Sequence, residues 1–473
     1  AALDQNASGV FVAGATSLFA TADIPLTTPV NDFGGPVQVL RGVAVALADA
    51  NVITLAGIGA ALLPVASLHV QAASGAISQA PGGVFVLGLT QLAAAGDVSL
   101  GEATNDFGGA VHVNTPQNVT LTDANSILLG AVLSSGGGAA TLTVSALGGS
   151  ILQTAHGLRV VGDATFRVGP EGDALLGVAN DAANRLDGSI HIEGAAGGSL
   201  RDVALRNISS IAQFPLLPNA AVDRPRDMTI VHAAAPVVLP GGLHVERDLV
   251  ATAGGNIAAG PTAGQSIVDL GVVTVGGMAQ FNGANISLDE LAVTGQIGLT
   301  ATGSATIVNA TGIDFKLTNV GGDLTATATS GGITDAATVT VGGMGQFNGA
   351  TIDLDQLAVT GQIGLTATGS ATIVNSTGID FKLTNVGGDL TATATSGGIT
   401  DAATVTVGGM GQFNGATVTL DQLAVTGQIG LTATGSATIV NATAIEFKST
   451  TVGGDLTATA TSGGITDAAT VTV

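Results

Sequence analysis

The chain has no cysteine, no tryptophan and no tyrosine, and only 10% of its 473 residues are charged. Without cysteine, neither a disulfide framework nor a thiolate metal site is available to it. Basic residues are scarce as well: 12 Lys and Arg stand against 34 Asp and Glu, for a formal charge of −22. That balance argues against nucleic acid or an anionic membrane as a partner, since both are themselves negative. Long apolar runs are missing too. The nearest, VITLAGIGAALLPVASL from Val52 to Leu68, is broken by Pro64 and falls short of the roughly 20 residues of a membrane helix. We therefore expect no membrane insertion. No Met precedes Ala1 and no basic-then-apolar leader opens the chain, so a mature chain or a fragment is expected. What remains plentiful is glycine, with 71 residues, and apolar side chains, at 46%. A chain with that much Val, Ala, Ile and Leu can bury a core and is not expected to be disordered.

The second thing present is repetition. SGGITDAATVTVGGMGQFNGAT runs from Ser330 to Thr351 and returns unchanged from Ser396 to Thr417. A third copy opens at Ser462 and is cut at Val473, which would leave a coil with nothing stacked on it, so the native chain is expected to continue. Met344 lies 66 residues after Met278 and 66 before Met410, and Phe281, Phe347 and Phe413 keep the same interval. So do Phe315, Phe381 and Phe447, each followed by one of the chain's three lysines, Lys316, Lys382 and Lys448. An older repeat precedes these: NDFGGPVQV at Asn31 is answered by NDFGGAVHV at Asn105, 74 residues later, and by NDAANRLDGSIHI at Asn180. Two regions follow. Residues 1–241 hold diverged repeats of about 74 residues with an irregular insertion near 195–240; residues 242–473 hold the near-identical 66-residue repeats.

Within each repeat the apolar period is two. VTV, TIDL and DLTATAT alternate β-branched or apolar residues with small polar ones, and Gly, Asn and Asp punctuate them. Helices with a charged face are absent from the pattern, and frequent glycine would cost a helix roughly 1 kcal/mol each time. Short strands in coils of about 20–25 residues cannot bury an apolar face alone, but stacked coil on coil they can. The expected fold is therefore all-β, an elongated parallel β-helix (β-solenoid), with three coils to each 66-residue unit. Equivalent residues such as Asp323, Asp389 and Asp455 would then line up roughly 14 Å apart on one face.

A glycine and valine, alternating strands, a turn and then NDFGG-x-V-x-V make a pattern that resembles the filamentous-haemagglutinin-like repeats of giant bacterial surface proteins. It is also similar to long Gly/Ala/Thr-rich β-strand repeat proteins. The resemblance implies a right-handed parallel β-helix acting as a secreted adhesin or surface fibre, extracellular or at the cell surface.

Catalytic chemistry finds little purchase. His69, His112, His156, His191, His232 and His244 form no HxH or HExxH pair, and their simplest reading is as polar positions on coil surfaces. Acid–base work needs convergent carboxylates, and only Asp173, Asp181, Arg185, Asp187, Arg201, Asp202 and Arg206 are dense enough to suggest them. Their plainer reading is arginine–aspartate pairing on a lateral loop. Calcium is the one cofactor the composition leaves open, although the G-G-x-G-x-D coil signature is missing; no cofactor is expected. LTATAT at Leu324 to Thr329 suggests a threonine ladder, but VTVGGMGQFNGATIDLDQLA carries no T-x-T within it. Seven N-x-S/T sequons occur, at Asn6, Asn118, Asn207, Asn285, Asn309, Asn375 and Asn441. No GK[ST] follows the glycine pairs, so they are not phosphate loops.

The expectation is a structural shaft of an extracellular bacterial fibre or adhesin, without catalysis. The alternatives are a self-polymerising filament or sheath subunit and a carbohydrate-active β-helix enzyme. Expected partners are further repeats of the same protein, end to end or side by side, and a cell-surface or matrix ligand. Asn282, Asn348, Asn414, Asn309, Asn375 and Asn441 are expected to hold turns by side-chain to backbone bonds. Phe281, Phe347, Phe413, Phe315, Phe381 and Phe447 are expected to plug the core or its corners.

Overall fold

The computed structural model describes residues 3, 5–134, 140–194, 199–218, 224–256 and 263–473. The described chain is all-β and contains no helix, so none is long and apolar enough to cross a membrane. It forms a parallel β-solenoid of about 21 turns in all, with coils of about 21 residues. Two compact units divide it, one comprising Ala1–Val237 with His244–Glu246, the other Val238–Leu243 with Arg247–Val473.

Each unit is built from two facing parallel sheets, visited alternately, so one coil contributes one strand position to each sheet. In the first unit Val45, Leu68, Thr90 and Val111 pair in succession along one sheet. Ile77, Val98, Val119 and Leu142 do so along the other. The NDF segments make two separate two-stranded sheets: Asp32–Phe33 pairs with Phe11–Val12, and Asp106–Phe107 with Phe85–Val86. The apolar stretch at Val52–Leu68 becomes strand Ile53–Ile58 and the start of Ser67–Ala72. Of the insertion expected near 195–240, residues 195–198 and 219–223 lie outside the described residues. The remainder holds regular strands, Leu200–Asn207, Asp227–His232 and Val237–Leu239.

In the second unit the two-residue alternation places every other side chain inside. Ala371–Asn375 and Leu390–Ala394 both alternate buried and part-exposed positions. Ile333, Ile352, Ala371 and Leu390 then stack in one interior column at 19-residue intervals. Burying an Ile or Leu side chain is worth about 1.5–3 kcal/mol, and each coil adds several. The glycine pairs belong to corners where coils approach closely. A Cβ on Gly408 would lie 2.3 Å from the carbonyl oxygen of Gly387, which is backbone and cannot yield.

The register corrects one expectation. From Gly345 the chain passes through seven strand positions before reaching the equivalent Gly411: Gly345–Gly349, Ile352–Val359, Ile363–Ala367, Ala371–Asn375, Ile379–Phe381 with Thr384–Val386, Leu390–Ala394, and Ile399–Asp401 with Val405–Val407. Two positions make a coil, so the 66-residue unit spans three and a half coils, not three. Because seven is odd, consecutive copies fall on opposite sheets: Gly345–Gly349 lies in one and Gly411–Gly415 in the other. Asp323 and Asp389, just ahead of Leu324–Ala328 and Leu390–Ala394, are therefore on opposite sides and form no common column.

Candidate functional site

The six predicted asparagines divide into two groups of different character. Asn309, Asn375 and Asn441 are fully buried. The Asn375 Oδ1 accepts the Val359 N–H at 2.8 Å, while its Nδ2 donates to the Val359 carbonyl at 3.0 Å and the Gly378 carbonyl at 2.7 Å. Asn309 and Asn441 make the same set with Val293 and Gly312, and with Val425 and Ala444. Each side chain imitates a strand neighbour, satisfying a donor and an acceptor of the previous coil where the chain turns. Asn282, Asn348 and Asn414 instead lie within strands and bond to side chains. Asn348 donates to the Thr327 hydroxyl at 3.1 Å and accepts from the Gln346 amide at 3.0 Å. They hold no turn, and Asn348 belongs to a ladder of in-register rungs, Thr327, Asn348, Thr366, Asn385 and Thr406. The threonine ladder read as interrupted at the GQFNG segment is thus continued there by asparagine.

The phenylalanines sit inside. Phe281, Phe315, Phe347, Phe381 and Phe413 have no exposed surface, and Phe447 retains 5%. Phe315 and Phe347 come from opposite sheets and meet edge to face with ring centroids 6.4 Å apart, as do Phe381 and Phe413. That geometry suits the aromatic quadrupole.

Sequence reasoning missed a second set of buried brackets in the first unit. Asn31, Asn105 and Asn184 are fully buried and accept the N–H groups of Val10, Val84 and Leu158. Asp49 and Asp123 are also fully buried and receive two backbone N–H bonds each, from Phe33 and Asn51 and from Phe107 and Asn125. Burial pushes the Asp123 carboxyl up to about 6, against the pull of the Phe107 and Asn125 N–H groups. The signal was available: LADAN and LTDAN recur 74 residues apart. A third device braces the long strands of the second unit. Ile352–Val359 carries one residue more than its neighbour Ala371–Asn375 between Leu354 and Leu357. The carboxylate of Asp335 receives the N–H groups of Asp355 and Gln356 in that bulge, at 3.0 and 2.9 Å. Asp269 and Asp401 do the same for Asp289 and Glu290 and for Asp421 and Gln422. Burial raises all three carboxyls above the usual range, opposed by those N–H bonds.

The arginine-rich segment is an ion-pair ladder between coils. Arg201 pairs with Asp173, Arg226 forks onto Asp202 at 3.0 and 2.5 Å, and Arg167 meets Glu193 at 2.5 Å. Arg185 pairs with Asp187 at 3.1 Å and Arg206 with Asp181 at 3.6 Å. The Asp173 hydrogen bond holds the Arg201 guanidinium above its usual value. Each of the predicted aspartates, Asp173, Asp181, Asp187 and Asp202, meets an arginine.

The histidines separate. His69, Gln91 and His112 share one outward column, and His112 meets His156 edge to face at 5.1 Å. The Nδ1 of His112 accepts the Ala131 N–H at 3.1 Å, and burial followed by His156 lowers its pKa. His232 is not a surface residue: it is fully buried, donates from Nδ1 to the Pro236 carbonyl at 2.7 Å, and is held below its usual pKa by burial. Among the described residues no three of His, Asp and Glu converge as a metal-binding group.

An open groove of the second unit, about 450 Å³, lies beside Thr360, Gln362, Asp380 and Thr400. Its counterpart one repeat earlier lies beside Thr294, Asp314 and Thr334. In the first, Gln362 and Thr400 both donate to the Asp380 carboxylate, at 3.0 and 2.9 Å. The polar groups are thus bonded to one another. Four of the seven sequon asparagines, Asn207, Asn309, Asn375 and Asn441, are likewise buried.

The family model of repeats of unknown function (DUF5649) matches residues 1–40, 42–114, 116–193, 302–366, 368–432 and 434–473. No curated protein and no solved structure matches the chain. Among the described residues, each of the four long matches contains seven strand positions alternating between the two sheets. The 74-residue and 66-residue repeats are therefore the same three-and-a-half-coil module.

Proposed function

This chain belongs to the family of repeats of unknown function (DUF5649), and from that premise we propose that it is the structural shaft of an extracellular bacterial fibre or adhesin. The observation that carries this reading is how polar groups are spent. Buried asparagines, the bracing aspartates and most of the arginine pairs bond between neighbouring coils, at 2.5–3.2 Å for most of them. Such groups resist uncoiling and are tied up within the stack, which suits a rod under tension better than an enzyme cleft. The resemblance of its repeats to filamentous-haemagglutinin-like ones supports the same reading, and with it a position at the cell surface. Its partners in this reading are further copies of the repeat and a surface or matrix ligand. Neither metal nor cofactor is needed, so a chelator leaves the unfolding temperature unchanged.

Repeat-number variants test the proposal. Inserting one 66-residue unit adds three and a half coils, or about 17 Å of fibre at roughly 4.8 Å per coil. Surface fibres imaged by electron microscopy lengthen in proportion to the units added; a length independent of repeat number overturns the shaft.

A further inference from the structure

Every lysine in the chain touches a methionine. Lys316 Nζ lies 2.8 Å from Met278 Sδ, Lys382 Nζ 3.0 Å from Met344 Sδ, and Lys448 Nζ 2.9 Å from Met410 Sδ. Only the fourth methionine, Met228, lacks such a neighbour, and it is fully buried in the core. The partners are 38 residues apart and two coils apart along the ladder: Ala279, beside Met278, pairs with Ile297, which pairs with Phe315, beside Lys316. Both backbones are fixed. The Met344 N–H donates to Asp323 at 2.7 Å, and the Lys382 N–H donates to the Ile363 carbonyl at 3.0 Å. Among the described residues no ion pair includes a lysine, in a chain with 34 carboxylate side chains. A thioether is a weak acceptor, so the contact is poor use of a cation. It does place a nucleophilic nitrogen directly against an oxidisable sulfur, with both atoms on part-exposed residues.

We propose that these pairs are sites of oxidative cross-linking, each closing a sulfur–nitrogen (sulfilimine) bond between coils. The oxidant is a hypohalous acid. It transfers its halogen to the thioether as a halosulfonium, releasing water after proton uptake. The deprotonated lysine nitrogen attacks that sulfur and expels halide, and loss of the remaining nitrogen-bound protons leaves S=N. In sum, thioether, amine and hypohalous acid give sulfilimine, halide, water and one proton; sulfur is oxidised by two electrons and the halogen is reduced. Water attacking the same halosulfonium gives only the sulfoxide, and the 2.8–3.0 Å approach favours nitrogen. The bond would tie together coils two steps apart along the stack in a protein that has no cysteine to do so.

The full chain is treated with one equivalent of hypobromous acid per methionine, digested and analysed by mass spectrometry. Three joined peptide pairs are expected, each lighter than the sum of its parts by two hydrogen atoms and separated again by excess thiol, with Met228 unjoined. The triple variant Lys316→Arg, Lys382→Arg and Lys448→Arg keeps the charge and yields sulfoxide on the same methionines without joined peptides. Sulfoxide with free lysines in the unmodified chain overturns the proposal, as does joining that persists in the arginine variant.

Discussion

At the scale of single residues, an asparagine six letters before a repeated phenylalanine and one directly after it look alike in sequence and do different work. Asn375 is fully buried and serves both the N–H and the carbonyl of Val359. Replacing it with alanine strands two buried backbone groups, each costing about 1–3 kcal/mol. Asn375→Ala is therefore expected to lose roughly 2–4 kcal/mol in equilibrium denaturation, whereas Asn348→Ala, at a part-exposed rung bonded to Thr327, loses less than about 1 kcal/mol. Comparable losses for the two would show that the bracket carries no special weight. Sequence composition could place asparagine near turns but could not distinguish them, because the distinction rests on which coil lies alongside.

At the scale of strands, the carboxylates that brace backbone N–H groups set an unusual response to acid. Burial raises Asp123 to about 6 and raises Asp269, Asp335 and Asp401 in the same direction. An unfolded Asp titrates near 3.9, so between these values the folded chain binds more protons than the unfolded one. Stability contributed by these groups then rises as pH falls from about 7 through about 6 toward the ordinary carboxylate range. The usual salt-bridged aspartate does the reverse. Thermal unfolding followed by circular dichroism should give a midpoint at pH 5 no lower than at pH 7, and a steady fall across that interval would contradict the assignment. Strand alternation was legible in fragments such as VTV and TATAT, and so was the parallel stacking that repetition demands. The bulge of Ile352–Val359 was not: its one extra residue is visible only against the register of Ala371–Asn375.

At the scale of the molecule, the decisive quantity is the parity of strand positions in one repeat. Period and fold class could be read from letters alone, but 66 residues divide almost as well into three coils as into three and a half, and only pairing decides. The consequence is that identical sequence faces both ways, and that the repeat along one face is two units, or seven coils. Within the second unit Asn282 and Asn414 stand on the same sheet, and Asn348 on the opposite one. The absence of cysteine allows clean labelling of substituted cysteines in pairs. Spin labels at Asn282→Cys and Asn414→Cys are expected about 34 Å apart, seven steps of roughly 4.8 Å. Labels at Asn348→Cys and Asn414→Cys are expected at least about 20 Å apart, since sheets about 10 Å apart add to an axial offset of about 17 Å. A three-coil repeat would bring the second pair to about 14 Å on a single face, and that distance in an electron–electron resonance measurement would return both faces of the solenoid to different sequence.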